Sequence, residues 1–411
     1  MNSIIKIMRI ASFRVFAAAV GFIFNIVLNR KLGINDAGLY YAYVAVVEFG
    51  VVIFSLGLVN IILKNSSRAS GEKQSEKIGF LLSSLAIILI VYLVFLLSEL
   101  VTGQVVLSLA NENLITYKNY LYISIICLIF SRLIGVYLQG RNRVNIFIFI
   151  SSVSVPLILI ISFLVFNIRE VSEAIKFYCI SVIGTLIIAG YFCLSSNIKN
   201  IKLSYKREDY NGLSAFWITS IMTAITTSGL VIIMSKYLEN SDIAILSVSN
   251  KVVFLLSFIL STISIVYAPK IGLLKSKNDM PGVFKLYIDS TKIILYISIP
   301  VVILCTYFST NILNFFGEDY SEGKLPFLIV LYGQFINISV GIVWTVLNLT
   351  GYERVVKNAV LFFSILSLCA LPYLSAHYGV VGAASVIFIF TAGTNIYLFI
   401  YTVRIYFKTI R

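Results

Sequence analysis

The chain has 411 residues, 59% of them hydrophobic and 12% charged, with a mean hydropathy of +0.96. A soluble fold could not cover itself with charge from this composition, which excludes a soluble enzyme or binding module and leaves an all-α polytopic membrane protein. The net charge of +14 would suit nucleic acid, but the basic residues are sorted into alternate loops, a pattern set by membrane topology and attraction to anionic membrane lipids. Nucleic acid is therefore not an expected partner.

Twelve apolar stretches are long enough to cross a bilayer, at about 20 residues each. Spans one to six are expected near 10–31, 38–63, 78–98, 119–139, 146–166 and 174–195. Spans seven to twelve follow near 213–235, 243–268, 286–308, 325–348, 359–376 and 379–402. Residues 1–195 then form an N-terminal bundle, 196–212 a cytoplasmic linker and 213–411 a C-terminal bundle. Lys6 and Arg9 before an apolar run resemble a secretory leader, but the run continues to Leu28 and eleven further spans follow, so it reads as a retained first helix. Most of the 32 Lys and Arg fall on one side if both termini are cytoplasmic. The loop FGEDYSEG (316–323), acidic, falls on the other side. All five cysteines lie within spans with no CxxC spacing, so neither disulfides nor zinc are expected.

An ionised side chain near the bilayer centre costs about 2.5 to 3.5 kcal/mol on insertion scales and survives by facing a partner, water or a substrate. On span one, Arg14, Ala18, Gly21 and Asn25 share one small and polar face at helical spacing. Arg30 lies at the external end of the same span. Glu48 on span two and Arg132 on span four are deep, as is Lys251 on span eight. Glu48 and Lys251 occupy nearly matching positions in the two halves and are expected to face each other. Asp289 and Lys292 on span nine are three residues apart, so they either pair locally or serve the transport path. Span seven offers Ser220, Thr223 and Thr227, and span ten a longer stripe through Gln334, Asn337, Gly341, Thr345 and Asn348. Helix packing through small and hydrogen-bonding residues accounts for such stripes as well as a lumen does. Tyr40, Tyr41, Tyr43, Trp217 and Trp344 are candidates for a cavity wall, where rings could cover the apolar face of a sugar.

The two halves carry an internal repeat. KLGINDAGLYYAYVAVVEF (31–49) aligns with KYLENSDIAILSVSNKVVF (236–254), and LQGRNR (138–143) aligns with LTGYER (349–354). Six spans per half give both halves the same orientation, with a pseudo-twofold axis along the membrane normal and a central cavity suited to alternating access. Gly140 and Gly351 are expected to end the fourth span of each half.

NRKLGINDAGLY (29–40), the Gly-x-x-Arg turns, FGEDYSEG and YGVVGAAS (378–385) together resemble the bacterial polysaccharide flippases of the Wzx type. These belong to the multidrug, oligosaccharidyl-lipid and polysaccharide exporter superfamily. The resemblance implies two six-helix bundles and a cationic lumen that carries an undecaprenyl-pyrophosphate-linked oligosaccharide across the inner membrane for O-antigen or other surface polymer assembly. Arg14, Arg132, Lys251, Arg30 and Lys292 would attract the pyrophosphate, Asn25, Gln334, Asn337 and Trp217 would meet sugar, and Glu48 and Asp289 would couple or gate. A polysaccharide polymerase and a chain-length regulator are the implied protein partners. No cofactor is expected, and energy would come from proton or sodium coupling or from consumption of the flipped product. An integral-membrane polymerase or ligase would need a large external loop with catalytic groups, which is lacking. A cation-coupled multidrug exporter would favour lumen carboxylates, whereas here basic residues predominate.

Overall fold

The structure, a computed structural model, describes residues 2–67, 74–102, 112–195, 210 and 213–410. Most of the linker expected at 196–212 and part of the basic loop at 64–77 lie outside these residues. The described chain is helical throughout. In the first part, α1 (Asn2–Leu32), α2 (Ile34–Phe54), α3 (Leu58–Ser67) and α4 (Gln74–Thr102) precede α5 (Lys118–Gly140). A fifth crossing is built from α6 (Val144–Ile148), a π-helical turn (Phe149–Val153) and α7 (Ser154–Val165), and a sixth from α8 (Val171–Leu194). The seventh has the same make-up, α9 (Leu213–Ala224), a π-helical turn (Ile225–Gly229) and α10 (Leu230–Met234). Beyond it come α11 (Asn240–Phe254), α12 (Ser257–Ser276), α13 (Met280–Tyr307), α14 (Ser309–Asn314), α15 (Lys324–Ser339), α16 (Val343–Thr350) and α17 (Glu353–Ile410).

Among the described residues ten helices are long and apolar enough to cross a membrane, and the bent pair Glu318–Ser339 and Val343–Thr350 supplies an eleventh crossing. The last helix cannot be a single crossing. Its 58 residues would extend roughly 85 Å at 1.5 Å per residue, nearly three times the hydrocarbon thickness. It breaks at Gly379, whose φ of 55° and ψ of −138° are not helical, and this is where YGVVGAAS opens the twelfth span. Split there, the described residues give twelve candidate crossings, the number expected from hydropathy.

Two compact units divide the chain, Met1–Lys236 and Tyr237–Arg411. In the first, α5 is central: 67% of its spanning window is buried, and it packs on α2, α3 and α8. The seventh crossing belongs to this unit, through α9 against α2 and α3. A tyrosine cluster fills the space between α2 and α8, where Tyr178 meets Tyr40 and Tyr43 edge to face. Tyr43 shares a 3.0 Å hydrogen bond with Ser124 of α5. Tyr40, Tyr41 and Tyr43 are exposed by only 2%, 5% and 0%, so they are core residues rather than the cavity wall expected of them.

Spans two and ten break at glycines, with no proline at either break. Span two breaks at Ser55–Gly57, where Leu56 and Gly57 have φ of 51° and 75°, which replaces the continuous helix expected over 38–63. Span ten breaks between α15 and α16, where Gly341 has a φ of 70°. A break inside a bilayer frees backbone carbonyls that need donors. Trp217 Nε1 donates to the Ile53 carbonyl at 2.9 Å, and the Tyr287 hydroxyl donates to the Val340 carbonyl at 2.6 Å. Each unit therefore covers its broken span with an aromatic side chain bearing a polar hydrogen.

The Gly-x-x-Arg repeat has a structural counterpart that differs from the expected one. Arg143 N donates to Leu138 O at 3.0 Å and Tyr352 N to Leu347 O at 2.9 Å, the same wrap around a helix C-terminus in both halves. Gly351 supplies the left-handed residue in the second half, with a φ of 94°. In the first half Asn142 supplies it, with a φ of 62°. Gly140 remains helical, and it is small because a Cβ there would overlap the side chain of Ser66 on α3.

Candidate functional site

The strongest polar feature of the first unit is an ion pair between two charges that sequence reasoning had assigned to separate tasks. Arg132 Nη2 donates to Oε1 and Oε2 of Glu48, at 2.6 Å each, joining α5 to α2. Both side chains keep about a third of their surface accessible, at 31% and 32%. The charges are thus neither sealed in the core nor fully hydrated. The two depths were legible, since Glu48 lies fourteen residues into α2 from one face and Arg132 eight residues from the other end of α5. At 1.5 Å per residue these are about 21 Å from one face and about 12 Å from the other, which in a core of about 30 Å puts both at nearly the same height.

Glu48 also forms part of the wall of a cavity of about 400 Å³. Asn60 of α3 and Thr219, Ser220, Thr223 and Thr227 of the seventh crossing line the same space. Ser220, Thr223 and Thr227 were named from the sequence as one polar face, whereas Asn60 and Thr219 were missed. Asn60 lies on the helix that begins after the break at Ser55–Gly57, so its direction depends on a kink that hydropathy does not announce. The π turn at Ile225–Gly229 contributes as well. Four residues exceed one 3.6-residue turn, so threonines four apart drift around a regular helix, and the wider π turn offsets that drift for Thr227.

Trp217 meets the Ile53 carbonyl as described, and α9 approaches the break closely: a Cβ on Gly57 would stand 2.7 Å from Trp217 N and 2.9 Å from Leu213 O. Asn25 is buried, donating to Gly21 O at 2.6 Å and accepting from the Tyr41 hydroxyl at 3.2 Å. Asn29 donates to the same hydroxyl at 2.8 Å. This network stitches α1 to α2. Arg14 and Arg30 are exposed on α1, at opposite ends of its membrane segment.

In the second unit Gln334 Nε2 donates to Ser257 Oγ at 2.7 Å, and Asn337 Nδ2 donates to Gln334 Oε1 at 3.2 Å. Thr345 and Ser264 hydroxyls meet at 2.5 Å, and Trp344 Nε1 donates to Asn395 at 2.8 Å. The stripe on span ten thus contacts α12 and α17. Lys251 is partly buried on α11, Asp289 is partly buried on α13 and Lys292 is exposed. Among the described residues no ion pair joins Asp289 to Lys292.

No protein-family model matches the chain, and no curated protein sequence does. Solved structures do match, and they identify the fold as that of the MOP-superfamily transporters. An inward-facing multidrug resistance MATE family transporter of the MOP superfamily superposes with a TM-score of 0.76 at 15% identity, covering 95% of this chain and 97% of that one. The lipid II flippase MurJ, in an inward closed conformation, gives 0.76 at 16% identity, covering 97% and 87%. A MOP superfamily transporter from Pyrococcus furiosus, described as having a binding pocket of reversed polarity, gives 0.66 at 13% identity, covering 96% and 94%. The chain is a multi-pass membrane protein with this fold.

Proposed function

We propose that the protein is a flippase that moves an undecaprenyl-pyrophosphate-linked oligosaccharide repeat unit from the cytoplasmic to the outer leaflet of a bacterial inner membrane by alternating access. The observation that carries this reading is the pairing of Glu48 with Arg132. A cation exporter needs an uncompensated carboxylate in its path, and the deep carboxylate of the first unit is already neutralised. Basic groups at Arg14, Arg30, Lys251 and Lys292 add positive charge along the spans and suit a pyrophosphate. The hydroxyl-lined cavity suits a glycan, whose own hydroxyls could not enter hydrocarbon without partners. Fold similarity to a lipid II flippase is consistent with a lipid-linked cargo, and similarity to MATE transporters keeps a cation-coupled multidrug exporter as the second reading.

Under this proposal both termini are cytoplasmic, Glu48 gates through its pair with Arg132, coupling to protons or sodium runs through Asp289, and the product feeds a polymerase and chain-length regulator that build O-antigen or a related polymer. The test is deletion of the gene in its native strain followed by leaflet-specific labelling of the lipid-linked repeat in membrane vesicles. Accumulation on the cytoplasmic leaflet, reversed by wild type but not by Arg132→Ala or Lys251→Ala, is the expected result. Normal display on the outer leaflet with altered drug tolerance would overturn the proposal in favour of the exporter.

A further inference from the structure

We infer that the cavity between α2, α3 and the seventh crossing is a binding site for one uncharged sugar ring, distinct in chemistry from any site for pyrophosphate or a coupling cation. The inference rests on the flippase reading for its biological meaning but not for its physical argument. That argument begins with hydrogen-bond polarity. Thr219 donates its hydroxyl proton to Phe216 O at 3.0 Å, Thr223 to Thr219 O at 3.0 Å and Thr227 to Thr223 O at 3.1 Å. With the proton directed along the helix, each threonine presents an oxygen to the cavity as an acceptor. Glu48 adds a carboxylate, also an acceptor, and Asn60 adds an amide that both donates and accepts. The wall is rich in acceptors, to which Ser220, Ser228 and Asn60 add groups that also donate, and it calls for a ligand whose hydroxyls do both.

Charge excludes the other ligands that oxygen-rich walls attract. A sodium ion is disfavoured because the Arg132 guanidinium, bonded to both Glu48 oxygens, already neutralises the carboxylate and repels a second cation. A phosphate would meet oxygen acceptors and a carboxylate, which repel it. A neutral polyol meets neither obstacle, and Glu48, held in place by Arg132, can accept from vicinal hydroxyls without a bound counter-ion. The volume of about 400 Å³ accommodates a hexose ring with water and falls short of a whole repeat unit. The apolar edge supplied by Val52 suits the C–H face of such a ring.

The test uses full-length protein in lipid nanodiscs and saturation-transfer NMR, which detects weak ligands. The probes are glucose, galactose, mannose, N-acetylglucosamine, N-acetylgalactosamine, rhamnose and fucose, with sodium-ion relaxation and inorganic pyrophosphate measured in parallel. At least one sugar is expected to give a saturable signal that weakens about fivefold in Thr223→Val and again in Thr227→Val, near the worth of one hydrogen bond per change. These substitutions keep side-chain shape, and an unchanged melting temperature separates lost binding from lost fold. No saturable sugar signal, or one indifferent to both valine variants, would overturn the inference. So would saturable sodium or pyrophosphate binding at this cavity that Glu48→Gln or Thr223→Val alters. Leaflet labelling distinguishes the two levels: sugar binding without translocation sinks the flippase and leaves the site, whereas translocation indifferent to Thr223→Val and Thr227→Val sinks the site and leaves the flippase.

Discussion

Glu48 and Arg132 hold one another in a half-exposed setting, where a pair of opposite charges contributes less than in a sealed core and more than on an open surface. Glu48→Gln is expected to lower stability by about 1 to 3 kcal/mol because it leaves the guanidinium without its counter-charge. A double-mutant cycle with Arg132→Met, read by thermal unfolding in detergent, should show that the second change costs little once the first is made. Additive losses would mean that the pair is not a coupled unit. Hydropathy makes both residues visible as costly buried charges, whereas the family resemblance gives Arg132 to the substrate and the internal repeat sets Glu48 against Lys251. Depth alone would have suggested Arg132 as a partner, because the shared height on α2 and α5 follows from counting residues. Asn25 shows the opposite limit: its polar face on α1 was legible, but its use by Tyr41 depends on α2 packing alongside, which no periodicity reports.

At the scale of elements, the breaks in spans two and ten are the features least visible in sequence. Neither contains proline, and a single glycine among many carries each. Gly57 and Gly33 separate two effects that a glycine can serve, since their φ values are 75° and 76°. Nothing lies within 4 Å of a Cβ at Gly33, whereas one at Gly57 meets the backbone of α9. Gly33→Ala should therefore cost only backbone strain, about 1 to 3 kcal/mol, because its φ of 76° and ψ of 170° fall in a region kept almost entirely for glycine. Gly57→Ala should cost clearly more, as backbone atoms at 2.7 and 2.9 Å cannot rotate away. Equal melting temperatures for the two variants would contradict the close approach of α9. Trp217→Phe removes the donor to the Ile53 carbonyl while keeping an aromatic ring, and a loss of about 1 to 3 kcal/mol in the same assay is expected for the exposed acceptor. The helix ends carry a related lesson: Gly140 and Gly351 share a motif for different reasons, and Asn142 does in the first half what Gly351 does in the second.

For the whole molecule, the number of crossings was legible because it rests on length and apolarity, the two quantities a bilayer constrains most. The kink at Gly379, which splits a 58-residue helix, fell where the sequence placed the start of span twelve. Sidedness rests on the basic loops, and it can be measured in a variant with its five cysteines replaced by serine. A cysteine at Ser321 should react with a membrane-impermeant maleimide added to intact cells, and one at Ser276 only after the membrane is opened. The reverse pattern would invert the topology proposed here.

The placement of the seventh crossing has a consequence for biogenesis. When a ribosome has delivered six spans to the membrane, the Ile53 carbonyl still lacks Trp217 and the concave side of Gly57 is still uncovered, so the first half is not yet a finished object. Maturation must wait for a segment from beyond the linker, and a nascent chain arrested after residue 236 should resist protease where one arrested after residue 195 does not. The seventh helix thus enters the membrane after the first six while packing, through α9, against α2 and α3.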